Sequence, residues 1–189
     1  MQQIAIFASG TGSNAARIIG YFKGHPTIRV SLVLSNRAEA AVLAKAAASG
    51  VQSATFNRGE FYETNDVVDR LLSKGITHVV LAGFLWKVPD ALLKAFPDRI
   101  INIHPALLPK FGGKGMYGLN VHRAVKEAGE HETGITIHLV NDDYDKGRVL
   151  FQAKCSVAES DSAETIAAKV HELEYDNFPQ QIERFILGE

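Results

Sequence analysis

Cysteine is almost absent: Cys155 is the only one among 189 residues. A lone thiol closes no intramolecular disulfide and builds no multi-thiolate zinc or iron–sulfur site, and such scarcity fits a reducing compartment. Charge of one sign is also lacking, since 20 Lys and Arg stand against 21 Asp and Glu for a net charge of -1. No global field draws in nucleic acid, so any anion must be held by a local pocket. No apolar run approaches the ~18 residues that span a bilayer. The opening Met1-Gln2-Gln3-Ile4-Ala5-Ile6-Phe7 lacks the basic region of a secretion signal. These absences predict a soluble cytoplasmic protein with no membrane or nucleic-acid partner. Repeats, low-complexity tracts and linkers are missing too, which predicts a single domain over residues 1–189. What is present is an ordinary globular composition, 46% hydrophobic and 22% charged, with enough apolar surface for a core.

Apolar runs and breakers alternate along the first half. Residues 4–7 read as a strand, residues 9–14 as a glycine turn, and Ile18, Ile19 and Phe22 as a helix face. Strands at 28–34, 51–56, 78–82 and 100–103 follow. The helices between them cover 38–49, closed by Gly50, an acidic stretch at 61–74, closed by Gly75, and a short segment led by Pro89. Strand-helix units in series imply right-handed crossovers and a parallel sheet covered on both faces. The pattern then changes. Residues 105–118 hold two prolines and four glycines and read as one long loop, of a length that is often functional. A helix at 119–128 precedes two alternating stretches at 133–140 and 148–157, with Val149, Phe151, Ala153, Cys155 and Val157 on one face, as antiparallel additions to the sheet. The last helix opens with Asp161 and Glu164 at capping-box spacing, and Pro179 bends or splits it. The fold class is α/β, Rossmann-like and mostly parallel, with antiparallel strands in the C-terminal half.

Gly10-Thr11-Gly12-Ser13-Asn14-Ala15 satisfies the dinucleotide pattern G-x-G-x-x-G/A after a strand, and amides at a helix N-terminus hold anions. A dinucleotide enzyme wants an acidic residue after the second strand, yet Ser35, Asn36 and Arg37 stand there. Arg37 would suit an NADP phosphate, and a plain tight turn would need the same small residues. Ser13 and Asn14 add side-chain donors, which favours a single phosphate monoester.

Ile100-Ile101-Asn102-Ile103-His104-Pro105 is the most informative segment. Alternation puts Asn102 and His104 on one face at the carboxyl end of a strand, where open α/β sheets bind ligands. An amide beside an imidazole resembles an oxyanion hole. Asp142, Asp143 and Asp145 follow the next long strand, and a carboxylate brought near His104 would favour imidazolium. Metal ligation by His104, His122 or His138 with these aspartates has no standard ligand spacing behind it, so no metal is expected.

Taken together, Ser9-Gly10-Thr11-Gly12-Ser13-Asn14, Leu81-Ala82-Gly83-Phe84, Asn102-Ile103-His104-Pro105-Ala106-Leu107-Leu108-Pro109, Gly134-Ile135-Thr136-Ile137-His138 and Asp145-Lys146-Gly147 resemble the glycinamide ribonucleotide formyltransferases of purine biosynthesis. The resemblance runs from Ile4 to near the C-terminus and implies the formyltransferase fold. It also implies transfer of the formyl group of 10-formyltetrahydrofolate, a co-substrate, to the amine of glycinamide ribonucleotide. On that resemblance Gly12, Ser13 and Asn14 hold the phosphate, while Pro105, His171 and Glu174 meet the rest of the ribonucleotide. Leu85, Trp86, Lys87, Val88, Asn102, Val140, Asn141, Asp142 and Asp145 hold the folate. Asn102 and protonated His104 stabilise the oxyanion, and Asp145 raises the histidine pKa and organises a water. A nucleotide-phosphate half at about 1–100 would precede a folate and catalytic half at about 101–189.

Three positions depart from the family pattern. Trp86 and Thr64 stand where arginines near the folate are usual, leaving Lys87 as the nearest cation, and the loop 112–118 is long enough for a lid or a surface insertion. Relatives acting on initiator tRNA or hydrolysing formyltetrahydrofolate carry an additional domain, for which this length leaves no room. An NADP-dependent oxidoreductase would leave Asn102 and His104 idle, and a silent nucleotide-binding module has no need of Asn102, His104 and Asp145 together. The oligomeric state is not legible.

Overall fold

In the computed structural model, which describes residues 1–188, seven strands form one sheet in the order β3-β2-β1-β4-β5-β6-β7. β1 (Gln2–Phe7), β2 (Ile28–Ser35), β3 (Gln52–Thr55), β4 (His78–Leu81) and β5 (Ile100–His104) pair in parallel. β6 (Glu132–Leu139) and β7 (Val149–Ser156) extend the sheet antiparallel, as their alternation predicts. The helices in chain order are α1 (Ser13–Tyr21), α2 (Ala41–Ala48), α3 (Arg58–Tyr62), α4 (Asp66–Ser73), α5 (Asp90–Ala95), α6 (Leu119–Glu127) and α7 (Ala163–Leu187).

Strand alternation sorts the core into two layers. Ile4, Ile6, Ile101 and Ile103 face α1, α2, α6 and α7 through Ile18, Val42, Val125 and Val170. Ala5, Phe7, Leu34 and Ile100 face α3, α4 and α5 through Phe61, Leu71 and Leu92. After β3 the chain returns past β1 and places β4 on its other side. Winding reverses at that point, which opens a crevice at the carboxyl ends of β1 and β4.

Local chemistry redraws several expected elements. The helix expected at 61–74 is two, because the Thr64 hydroxyl takes the amide of Asp66 at 3.3 Å and competes with helix continuation. Asn57 and Glu60 form a capping box that starts α3 ahead of the expected boundary. The α7 cap is Ser162, which accepts the Thr165 amide at 3.1 Å. Asp161 instead accepts from the Ala158 amide and from Lys169. α7 runs unbroken through Pro179, where the ring removes one helical hydrogen bond but buried Phe178 and Ile182 keep the segment docked. Val149 is 47% exposed, because the β6–β7 register slips between Ile137 and His138 and turns Leu150 towards the core.

Candidate active site

The glycine turn after β1 is shaped by two demands on Gly12. Its φ is +70°, and a Cβ there would lie 2.4 Å from Val42 Cγ2, so the turn both needs left-handed backbone and presses against α2. Gly12 occupies the N-cap of α1 with no side-chain cap, which leaves the first amides of the helix open to an anion. Asn14 is partly committed elsewhere, since its Nδ2 donates to Glu174 Oε2 at 2.9 Å.

The segment after β4 is tied to this turn by Ser9. Its hydroxyl accepts the Leu85 amide at 3.0 Å and donates to Asn36 at 2.7 Å. Phe7, Phe56, Phe61 and Phe84 pack beneath Trp86. Tyr62 lies 5.9 Å from the Trp86 ring and donates its hydroxyl to the Lys87 carbonyl at 2.9 Å. The Arg58 guanidinium sits over Tyr62 and Trp86 at 5.0 and 6.0 Å, and Lys87 Nζ lies 5.9 Å from the Tyr144 ring. Aromatic faces and two cations thus gather where the family pattern has arginines.

At the end of β5, Asp145 stands between two histidines. Its carboxylate lies 3.6 Å from His104 Nδ1 and 3.6 Å from His138 Nε2. The sequence gives no distance here; the pairing of β5 with β6 sets Asn102 opposite His138. His138 Nδ1 donates to the Leu139 carbonyl at 2.8 Å, and Nε2 is left to accept from Asn102 Nδ2 at 3.2 Å. Asn102 keeps its second N–H. His104 Nε2 donates to the Phe111 carbonyl at 2.7 Å. Asp145 has φ +54° and accepts the Gly113 amide at 2.9 Å. Gly147 makes this turn possible, because a Cβ there would lie 1.6 Å from the Leu139 carbonyl oxygen.

Asp145 pulls the His104 pKa upward, as expected of a carboxylate beside the ring, but burial opposes it. Burial lowers the His104 pKa, and the opposing pull of Asp145 and of the Phe111 carbonyl does not overcome it. Burial alone would raise Asp145, but the His138 ring, the Gly113 amide and His104 bring it below the ordinary carboxylate value. The pair is unequal: Asp145 holds its charge, while His104 keeps its proton less readily than free imidazole.

On α7, His171 Nδ1 meets Glu174 Oε2 at 3.0 Å, as their i, i+3 spacing predicts. That bond raises the His171 pKa against burial. One cavity of about 710 Å³ is lined by the glycine turn, Leu85, Trp86, Lys87, Val88, Asn102, His104, Pro105, Val140, Asn141, Asp145, His171 and Glu174. Asp142 is exposed and absent from that wall, which takes Asp143 and Tyr144 from the same turn. Residues 85–88 of the first half and α7 of the second half both line this cavity. Gly113, Lys114, Gly115, Met116, Tyr117 and Gly118 of the long loop also line it. Among the described residues, no group of three or more His, Cys, Asp or Glu is placed to hold a metal ion, and no helix is long and apolar enough to cross a membrane.

Residues 2–182 match the formyl transferase family. This chain belongs to that family. It is 35% identical over 193 residues to a phosphoribosylglycinamide formyltransferase of Haemophilus influenzae, covering 100% of this chain and 89% of that protein. It is 40% identical over 175 residues to the chloroplastic phosphoribosylglycinamide formyltransferase of Arabidopsis thaliana, covering 89% of this chain and 60% of that one. The chain thus spans about three fifths of the length of the plant relatives it matches. The crystal structure of glycinamide ribonucleotide transformylase 1 from Symbiobacterium toebii superposes with a TM-score of 0.90 at 34% identity, over 100% of this chain and 89% of that one. Within this formyltransferase, sequence reasoning missed His138 as the partner of Asn102 and Asp145. The motif Gly134-Ile135-Thr136-Ile137-His138 contains it, but only the antiparallel register turns that residue into a neighbour.

Proposed function

We propose that this formyltransferase moves the formyl group of 10-formyltetrahydrofolate to the amine of glycinamide ribonucleotide, giving the N-formylated ribonucleotide. The observation that carries this reading is the meeting of Asn102, His104 and Asp145 in one cavity with the glycine turn of β1. The likeness to phosphoribosylglycinamide formyltransferases supports it. A single domain does the work, with both ligands in one crevice.

The phosphate takes the open amides from Gly12 to Asn14, and Pro105, His171 and Glu174 border the ribose and amine. The folate lies along Leu85, Trp86, Lys87, Val88, Val140 and Asn141, with Tyr144 in the place expected of Asp142. Lys87 and Arg58 answer its carboxylates. The amine nitrogen bonds to the formyl carbon, and the carbonyl electrons move to oxygen, where the free N–H of Asn102 and His104 meet them. As the intermediate collapses, the bond from carbon to the folate nitrogen breaks and that nitrogen takes the proton that the attacking amine gives up, since an arylamide anion leaves poorly. His104 Nε2 leaves the Phe111 carbonyl to serve the oxyanion, so the loop that holds this carbonyl shifts during turnover. Asp145 keeps charge beside the ring and orders water for the proton.

Purified protein mixed with both substrates should form the formylated ribonucleotide, and His104→Ala should slow this by at least about 10²-fold while remaining folded. Equal deformylation of the folate without the ribonucleotide would overturn the assignment.

A further inference from the structure

None of the steps above uses His122. It stands in the first half of α6, right after the glycine loop, is 2% exposed and forms part of the cavity wall. Its Nδ1 is buried and has no hydrogen-bond partner. A buried ring nitrogen without a partner has lost the bond water gave it and gained nothing in exchange, which native structures rarely tolerate. In the wall of a site, a ligand is the group that completes it.

The neighbours say which ligand. The His171 ring centroid lies 6.4 Å away, and Glu174 and His104 are the other titratable groups that act on the ring. His122 therefore sits between the pair bordering the ribonucleotide and the histidine facing the formyl carbon. Burial, then repulsion from His171, outweighs the attraction of Glu174 and pushes its pKa down to about 4. At neutral pH the ring carries one N–H and one bare lone pair. Such a ring holds an amine without adding a positive charge that would repel it.

We propose that His122 is a contact residue for the acceptor substrate, its ring lone pair accepting a hydrogen bond from the amine of the ribonucleotide and aiming that amine at the formyl carbon beside His104. This rests on the formyl-transfer reading and deepens it. Bare lone pair and attacking amine complete each other.

Steady-state kinetics with each substrate varied, on wild type, His122→Phe, His122→Asn and His122→Gln, test the idea. Phenylalanine fills the ring's volume without nitrogen, whereas Asn and Gln set an amide near the Nδ1 and Nε2 positions. His122→Phe should raise the KM for the ribonucleotide by ~10-fold or more and leave the KM for 10-formyltetrahydrofolate within about twofold. One of the two amides should restore most of the loss. Histidine ring NMR of the wild type decides the matter should His122→Phe not fold: the ribonucleotide alone should shift the His122 resonances. A folded His122→Phe with an unchanged ribonucleotide KM, or resonances unmoved at saturation, would overturn the proposal. A wild type that binds the ribonucleotide and shifts His122 but transfers no formyl group overturns the reaction and keeps the contact.

Discussion

His104 is held by two opposed forces, burial against its charge and the Asp145 carboxylate 3.6 Å away in favour of it. Removing the carboxylate leaves only the Phe111 carbonyl and Glu174 to oppose burial and lowers the histidine further. If the charged ring meets the oxyanion, Asp145→Asn should move the high-pH limb of the kcat profile towards acid, and kcat at pH 7 should fall by about tenfold for every pH unit the limb travels. A profile that keeps its position would take Asp145 out of this role. Asn102 gives one N–H to His138 and keeps the other for the cavity, so Asn102→Ala should lower kcat by about 10²–10³-fold with secondary structure intact by circular dichroism. Trp86 is the single tryptophan of the chain and lines the cavity, so its fluorescence reports on the proposed folate site. Folate should quench it, and Lys87→Ala should weaken that titration without altering the affinity for the ribonucleotide. Asn102 and His104 were legible because alternation fixes their common face. His138 and His122 were not, since neighbours across a strand pair or a helix packing have no spacing along the chain.

At the scale of elements, the two turns that aim the site depend on glycines for different reasons. Gly12 combines φ +70° with contact against Val42, and Gly147 abuts the Leu139 carbonyl in a backbone conformation open to other residues. Gly147→Ala therefore tests close approach alone. It should displace the 141–147 turn, separate Asp145 from His104, and lower the urea midpoint by an amount equivalent to ~1–3 kcal/mol. A variant with wild-type midpoint and kcat would show that the turn relaxes freely. Strand, turn and helix at the N-terminus were readable because each signal there is local. The break between α3 and α4 was not, because Thr64 acts through a side-chain bond to the Asp66 amide, which apolar periodicity does not register. Pro179 does not split α7, because burial of Phe178 and Ile182 holds the segment together across the lost hydrogen bond.

For the molecule as a whole, acid stability follows from histidines buried away from charge. His78 and His122 both have pKa values near 4, with burial the leading cause in each. Unfolded histidine titrates near 6.5, so between about 6.5 and 4 the unfolded chain binds more protons than the native one, and stability is lost as pH falls through that window. His122 alone accounts for roughly 3 kcal/mol of this, at about 1.36 kcal/mol per pH unit of the window. Urea midpoints should fall steadily from pH 7 to pH 5, and less steeply in His122→Phe; a flat midpoint for the wild type would contradict the assignment.

The sequence by itself determined the α/β class, the parallel and antiparallel halves, the glycine turn and the Asn102 and His104 face, because periodicity and turn chemistry act over a few residues. It also carried the motifs that place the chain among formyl transferases. Only the tertiary structure decided that Asp145 stands between His104 and His138, that Tyr144 rather than Asp142 reaches the cavity, that burial outweighs the carboxylate at His104, and that His122 is left unpaired. Those facts depend on the β5–β6 register, the docking of α6 and α7, and exclusion of water, none of which is a property of any single segment.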